Sequence, residues 1–120
     1  MKILAVSSEM VPYAKTGGLA DVVGALPRYL AMAGHDMRVF IPLYDSVRRD
    51  GLNLSSVIER LDMHLGGHYY SIRILRDADN PQAYLVQCPE LYDRGSIYTR
   101  DGDEHRRFLA LCWAALMACQ

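Results

Sequence analysis

The sequence predicts an α/β protein: an open, mostly parallel sheet with an inserted antiparallel hairpin. Three observations carry that expectation. Short, nearly continuous apolar runs at 3–6 and 37–42 flank Leu19, Val22, Val23, Leu26 and Leu30, which recur at helical spacing. Residues alternate apolar and polar on both sides of Gly66-Gly67, the mark of two strands joined by a tight turn. A second helical pattern closes the chain after Asp103.

Residues 2–8 read as a strand covered on both faces, because its centre has no polar alternation. Pro12 and Tyr13 should keep the next loop extended and non-helical, a wall for a cleft. The first helix is expected over about 19–33, with Thr16 as a candidate cap and Asp21 suited to the dipole of its first turn. Pro27 should kink it, since its ring crowds the carbonyl of Val23. Gly34 should end it as a left-handed C′ residue. A second strand at 37–42, parallel to the first, completes a βαβ unit. A short polar helix or turn is expected over 46–51.

In the hairpin, the two-glycine turn pairs Leu65 with His68, Met63 with Tyr70 and Leu61 with Ile72, which keeps one face apolar. This ribbon reads as an insertion or sheet edge with a structural role. A polar turn at 77–81 leads to a buried strand at 83–87, followed by a loop or single turn through Glu90-Leu91-Tyr92-Asp93-Arg94-Gly95. The last helix should be capped by Asp103 and bury Phe108, Leu111, Cys112, Ala115 and Cys119.

The chemistry concentrates in Lys15-Thr16-Gly17-Gly18-Leu19-Ala20-Asp21, between the first strand and its helix. Glycine lets backbone N–H groups approach a ligand, and a helix's first N–H groups lack internal partners and carry the positive end of its dipole. Phosphate suits such a place, and Lys15 adds a mobile point charge. A plain strand-to-helix turn with a solvated lysine explains the same residues on chemistry alone. Glu9, at the carboxyl end of the first strand, reads either as a group orienting a sugar hydroxyl or Lys15, or as a solvated loop carboxylate. Asp21 would repel a diphosphate, so it should point to a sugar hydroxyl or to Lys15. Tyr92 reads as a half-buried packing residue or as a stacking face for a base.

The wording of this loop, with Met1-Lys2-Ile3-Leu4-Ala5-Val6-Ser7-Ser8-Glu9 before it and Val23-Gly24-Ala25-Leu26-Pro27 after it, resembles the N-terminus of bacterial glycogen synthases and plant starch synthases. The resemblance continues through Gly34-His35-Asp36-Met37-Arg38-Val39, Leu91-Tyr92-Asp93-Arg94 and the stretch from Asp103 to Phe108, and is weakest over 46–80. It departs at Glu104, where that family has asparagine. The resemblance implies a Rossmann-like partial N-terminal lobe of a two-lobed retaining glycosyltransferase, with residues 1–120 an incomplete N-terminal domain. It implies an ADP-glucose donor, with Lys15, Gly17 and Gly18 at its phosphates, Glu9 and Asp21 close by, and Tyr92 near the adenine. It implies an α-1,4-glucan acceptor, no metal and no cofactor. The catalytic machinery and the acidic motif that grips the donor belong to a C-terminal lobe that this stretch does not contain, so no nucleophile or general base is assigned. The 120 residues alone should be inactive. They should also expose apolar surface and be marginally stable or self-associating. The competing reading is a non-catalytic nucleotide-sugar-binding or interaction module.

Composition narrows the partners. A net charge of −1 gives no electrostatic case for nucleic acid or an anionic membrane. No apolar run approaches a membrane span, and the N-terminus lacks the pattern of a signal peptide, so a cytoplasmic location is expected. Cys88, Cys112 and Cys119 form no C-x-x-C pair and are expected to be buried reduced thiols. The four histidines lack metal-ligand spacing. No G-x-G-x-x-G, P-loop or G-x-S-x-G motif is present.

Overall fold

The computed structural model of the chain describes residues 1–47 and 49–120. Its elements run β1 (Lys2–Val6), α1 (Gly18–Met32), β2 (Asp36–Pro42), a 3₁₀ turn (Arg49–Gly51), β3 (Leu54–Leu65), β4 (His68–Asp77), β5 (Asn80–Gln87), α2 (Pro89–Tyr92) and α3 (Glu104–Ala118). The turn expected over 46–51 is present in its last residues, while Arg48 lies outside the described residues.

All five strands join one sheet in the order β1-β2-β5-β4-β3. β1/β2 and β2/β5 pair parallel, whereas β5/β4 and β4/β3 pair antiparallel. The hairpin is thus hydrogen-bonded into the sheet, and β4 is an interior strand. Its register is the one that the alternation requires: Leu65 opposite His68, Met63 opposite Tyr70, Leu61 opposite Ile72. Gly66 and Gly67 take φ of 59° and 78°, the left-handed pair that a two-residue hairpin turn needs. β3 extends back to Leu54, through irregular pairing between Ser56 and Leu61 that blurs its alternation.

β1 departs from expectation. It is an edge strand with Leu4 and Val6 exposed, while Ile3 and Ala5 pack against the core. The extended loop expected after it is instead a compact turn. Met10 and Ala14 pair across it, and Tyr13 N–H donates to Met10 O at 2.9 Å. Tyr13 is buried, its hydroxyl donating to buried Asp77 at 2.6 Å.

α1 is assigned unbroken through buried Pro27, so the expected kink does not divide it. Its end follows expectation closely. Gly34 at φ 86° donates to Ala31 O and His35 to Leu30 O, the paired bonds of a Schellman closure. Its outer side leaves Leu19, Val22, Leu26, Tyr29 and Met32 exposed. Gly24 lets the helix approach the loop: a Cβ there would lie 2.3 Å from Val11 Cγ2 and 3.0 Å from Val11 O.

α3 buries Leu111 and Ala115 as its periodicity suggests, but the stripe is shifted at its other positions. Arg107, Ala110, Leu111, Ala114 and Ala115 face inward, while Cys112 and Cys119 are exposed and Phe108 is half-buried. Only Cys88 of the three thiols is buried, and burial pushes its pKa up to about 11. The rotation is set by Arg107, which is fully buried. Its guanidinium donates to Leu91 O at 2.6 Å, Ile97 O at 2.9 Å, Ser96 O at 3.3 Å and the Glu104 carboxylate at 2.5 Å.

Two stability outcomes follow from this packing. Gly24→Ala should lower stability by about 1–3 kcal/mol in urea unfolding, because the clash with Val11 outweighs alanine's better helix propensity. Arg107→Met should cost about 3–5 kcal/mol, since it strands three carbonyls and a carboxylate that its guanidinium satisfies.

Candidate functional site

The carboxyl ends of β1 and β2 and the N-terminus of α1 meet at one rim of the sheet, where parallel α/β sheets hold ligands. Ser7 N–H still pairs with Phe40 O at 3.0 Å, and the Tyr44 hydroxyl donates to Ser8 O at 2.7 Å. The chain then turns through 10–14 and returns to the rim as Lys15-Thr16-Gly17-Gly18.

Glu9 builds this loop. Only 3% of it is exposed, and its carboxylate accepts from Thr16 N–H at 2.5 Å, Thr16 Oγ1 at 2.9 Å and the Tyr98 hydroxyl at 2.5 Å. The Tyr98 hydrogen bond and the Thr16 donors together hold the acid below its ordinary value, against the upward push of burial. Glu9 is therefore turned inward onto its own loop, with neither Lys15 nor open solvent as its partner. Thr16 is corrected with it. The residue at the N-cap of α1 is Gly17, no side chain caps the helix, and the Thr16 hydroxyl serves Glu9.

Lys15 and Asp21 face outward. Lys15 Nζ donates to the two Asp21 oxygens at 2.8 and 2.7 Å, and each side chain is about half exposed (52% and 55%). An ion pair this exposed contributes only ~0–1 kcal/mol and exchanges partners readily. Of the two partners foreseen for Asp21, the structure thus pairs it with Lys15.

Gly17 and Gly18 are exposed, and neither has the positive φ that favours glycine. A Cβ built on either would meet no atom within 4 Å. The fold itself requires glycine at neither position. The Gly17 N–H also turns back towards the Glu9 carboxylate, and the space that a Cβ would fill at either glycine stays open.

Tyr92 is not at this surface. It is fully buried, its hydroxyl donates to Arg107 O at 2.7 Å, and its ring meets Tyr44 edge-on at 6.1 Å. Burial raises its phenol well above the ordinary value. No face of its ring is free here, and it packs more deeply than the half-buried residue that the sequence suggests.

What the sequence did not indicate is the frame behind the loop. Tyr98 lies 89 residues from Glu9 and also meets Ser8 Oγ at 2.7 Å. Glu104 accepts from Thr99 N–H at 2.5 Å, Thr99 Oγ1 at 2.9 Å and Arg107 at 2.5 Å. Burial alone would raise Glu104, but the donors of Arg107 and Thr99 outweigh it and hold the acid low. Asp103, at the N-cap of α3, spends its carboxylate on Arg94 at 2.5 and 2.7 Å, which brings its pKa down to about 2. No spacing rule joins these positions. Among the described residues no cluster of His, Cys, Asp or Glu is arranged to hold a metal, and no helix is long and apolar enough to cross a membrane.

Residues 2–120 match the family model of the starch synthase catalytic domain. The chain is 38% identical over 125 residues to a glycogen synthase of Aeromonas salmonicida (strain A449), covering all of this chain and 26% of that protein. It is 42% identical over 131 residues to a glycogen synthase of Variovorax paradoxus (strain S110), again covering all of this chain and 26% of the relative. The catalytic domain of starch synthase IV from Arabidopsis thaliana, bound to ADP and acarbose, superposes with a TM-score of 0.77 at 25% identity, over 97% of this chain and 25% of that one. The chain thus spans about a quarter of the length of these relatives.

Acid should undo the site in a set direction. The folded-state pKa values of Glu9, Glu104 and Asp103 are all depressed. The stability they contribute is therefore complete above the unfolded carboxylate range and lost as pH falls through the folded values, Asp103's being about 2. Urea unfolding should give decreasing stability from pH 5 downward, by about the linkage expected of several paired carboxylates. Glu9→Gln should be ~1.5–3 kcal/mol less stable at pH 7 and lose less on acidification.

Proposed function

Because the chain belongs to the starch synthase catalytic domain family, we propose that it supplies the donor-phosphate loop of a glucosyltransferase. The whole protein would move glucose from ADP-glucose to the non-reducing end of an α-1,4-glucan, with retention. The observation that carries this reading is the pair of adjacent glycines that the fold does not need, open beside the start of α1 and next to a cation free to change partners.

In glucosyl transfer from a sugar nucleotide, the glycosidic C–O bond to the diphosphate breaks and negative charge grows on the leaving oxygens. Groups that meet this charge as it develops lower the barrier. The Gly18 N–H, and that of Gly17 where it is shared with Glu9, would approach phosphate oxygens without a side chain in the way, and the helix dipole favours the charge. Lys15 supplies a full positive charge once it leaves Asp21. Asp21 is then released towards a sugar hydroxyl, or stays within reach of the lysine as its counter-ion. Glu9 takes no part in contact with the donor and Tyr92 none with the base. The relative solved with ADP and acarbose supports a nucleotide and a glucan-like ligand for this reading. The groups that act on the glucose itself lie outside these residues.

Calorimetric titration of ADP into the 120-residue chain tests the loop directly. The expected result is weak binding that Lys15→Ala reduces about tenfold or more. Gly18→Ala should weaken ADP while leaving stability unchanged or slightly raised, since alanine is the better helix residue and its Cβ meets nothing in the chain. Equal affinity in wild type and both variants would refute the assignment.

A further inference from the structure

We infer that Tyr98 is a positioning residue for the anion loop: acting through the Glu9 carboxylate, it ties the loop to the N-terminal end of α3. The inference rests on the donor-loop reading above and adds the means by which the loop keeps its shape.

A loop that presents backbone amides to a ligand gains affinity by being ordered beforehand. Here the order does not come from the helix itself, because α1 starts without a side-chain cap. It does not come from the glycines, which touch nothing at the Cβ position. The turn before the loop is closed by the Met10–Ala14 pair and by Val11 N–H to Ala20 O at 3.1 Å. Residues 16–17 are held by one carboxylate, which receives the Thr16 N–H and hydroxyl and the Gly17 N–H from the loop and a phenol from outside it.

That phenol is itself fixed from behind. Ser96 Oγ donates to Tyr98 O at 2.6 Å, and Arg107 holds Ser96 O and Ile97 O. Glu104 holds the amide and hydroxyl of Thr99. The Tyr98 ring rests against Phe108, with centroids 6.0 Å apart. The segment 96–99 is thus bolted to the first turn of α3 on both sides of Tyr98, and the tyrosine hydroxyl carries that rigidity to Glu9. Ser8, which Tyr98 also meets, is tied in turn to Tyr44. With Phe at position 98 the ring contact survives while Glu9 loses its only donor from this segment. The donors that remain come from the loop, which is the part being held.

Tyr98→Phe in the 120-residue chain separates positioning from packing. Amide hydrogen exchange followed by NMR should show Thr16 and Gly17 exchanging about tenfold faster, with the amides of Val39 and Leu85 in the sheet unchanged. The ¹³C titration of the Glu9 carboxyl should move up towards the ordinary range, a readout that lost packing would not produce. ADP should bind several-fold more weakly than to wild type, whereas Ser8→Ala, which leaves the Glu9 contacts in place, should bind as wild type does. Unchanged loop exchange and an unchanged Glu9 titration in Tyr98→Phe would overturn the inference even if Lys15→Ala abolishes ADP binding. If wild type binds no ADP but Tyr98→Phe still frees the loop amides, the positioning stands and the donor reading falls.

Discussion

The structure depends first on a buried cation. Arg107 is fully enclosed, and its guanidinium is shared among the carbonyls of Leu91 in α2 and of Ser96 and Ile97 beyond it and the carboxylate of Glu104. A charge placed in the interior costs several kcal/mol unless its donors are satisfied. Satisfying them requires the irregular stretch 91–99 to wrap the N-terminal end of α3 in one conformation. Ring faces complete the enclosure, with Tyr44 at 6.0 Å and Phe108 at 5.6 Å from the guanidinium carbon. Tyr92 closes the circuit by donating back to Arg107 O. Two tyrosines near the rim are thereby committed to holding an arginine, which is why Tyr92 has no face for a ligand.

From that fixed segment the constraint passes outward through Tyr98, itself exposed, to buried Glu9 and on to Thr16, while Lys15 and the glycines reach solvent. The bonds of Tyr98 and Thr16 to Glu9 go to a charged acceptor and are individually worth about 1.5–3 kcal/mol. The part of the loop offered to a ligand carries the exposed Lys15–Asp21 pair and two glycines beside which a Cβ would meet nothing within 4 Å.

Much of this architecture is legible from local rules. The hairpin register follows from a two-residue glycine turn, because a slip of one residue would turn the apolar face outward. The end of α1 follows from Gly34, since the left-handed closure suits glycine. The rotation of α3 is not legible, because Leu109, Cys112 and Leu116 are apolar yet exposed, and the deciding residue is an arginine. Periodicity locates a helix but chooses a face only when one side is clearly polar. The inner side of the site is hidden for a related reason. Glu9 and Tyr98 are brought together by tertiary folding across 89 residues, so a carboxylate at a strand end looks free in sequence when its partners are far away. Thr16 looks like a cap because it stands just before the helix, whereas its hydroxyl turns back across the turn to Glu9.

The two carboxylates of the loop illustrate how burial divides labour. Glu9 and Asp21 both lie within reach of the same short segment, yet one is 3% exposed and receives three donors, while the other is half exposed and holds one lysine. A buried, multiply bonded carboxylate gives up its partners only at a cost that would unravel the loop, so it is a fixed part of the scaffold. An exposed ion pair is nearly neutral in free energy, so its lysine can turn to an arriving phosphate with little opposing force. Exchanging the two environments would defeat both purposes: a buried lysine pair would resist the ligand, and an exposed Glu9 would leave the glycine amides without a defined direction. The capacity of this loop to meet an anion therefore lies less in its residue types than in which of its charges the fold has enclosed.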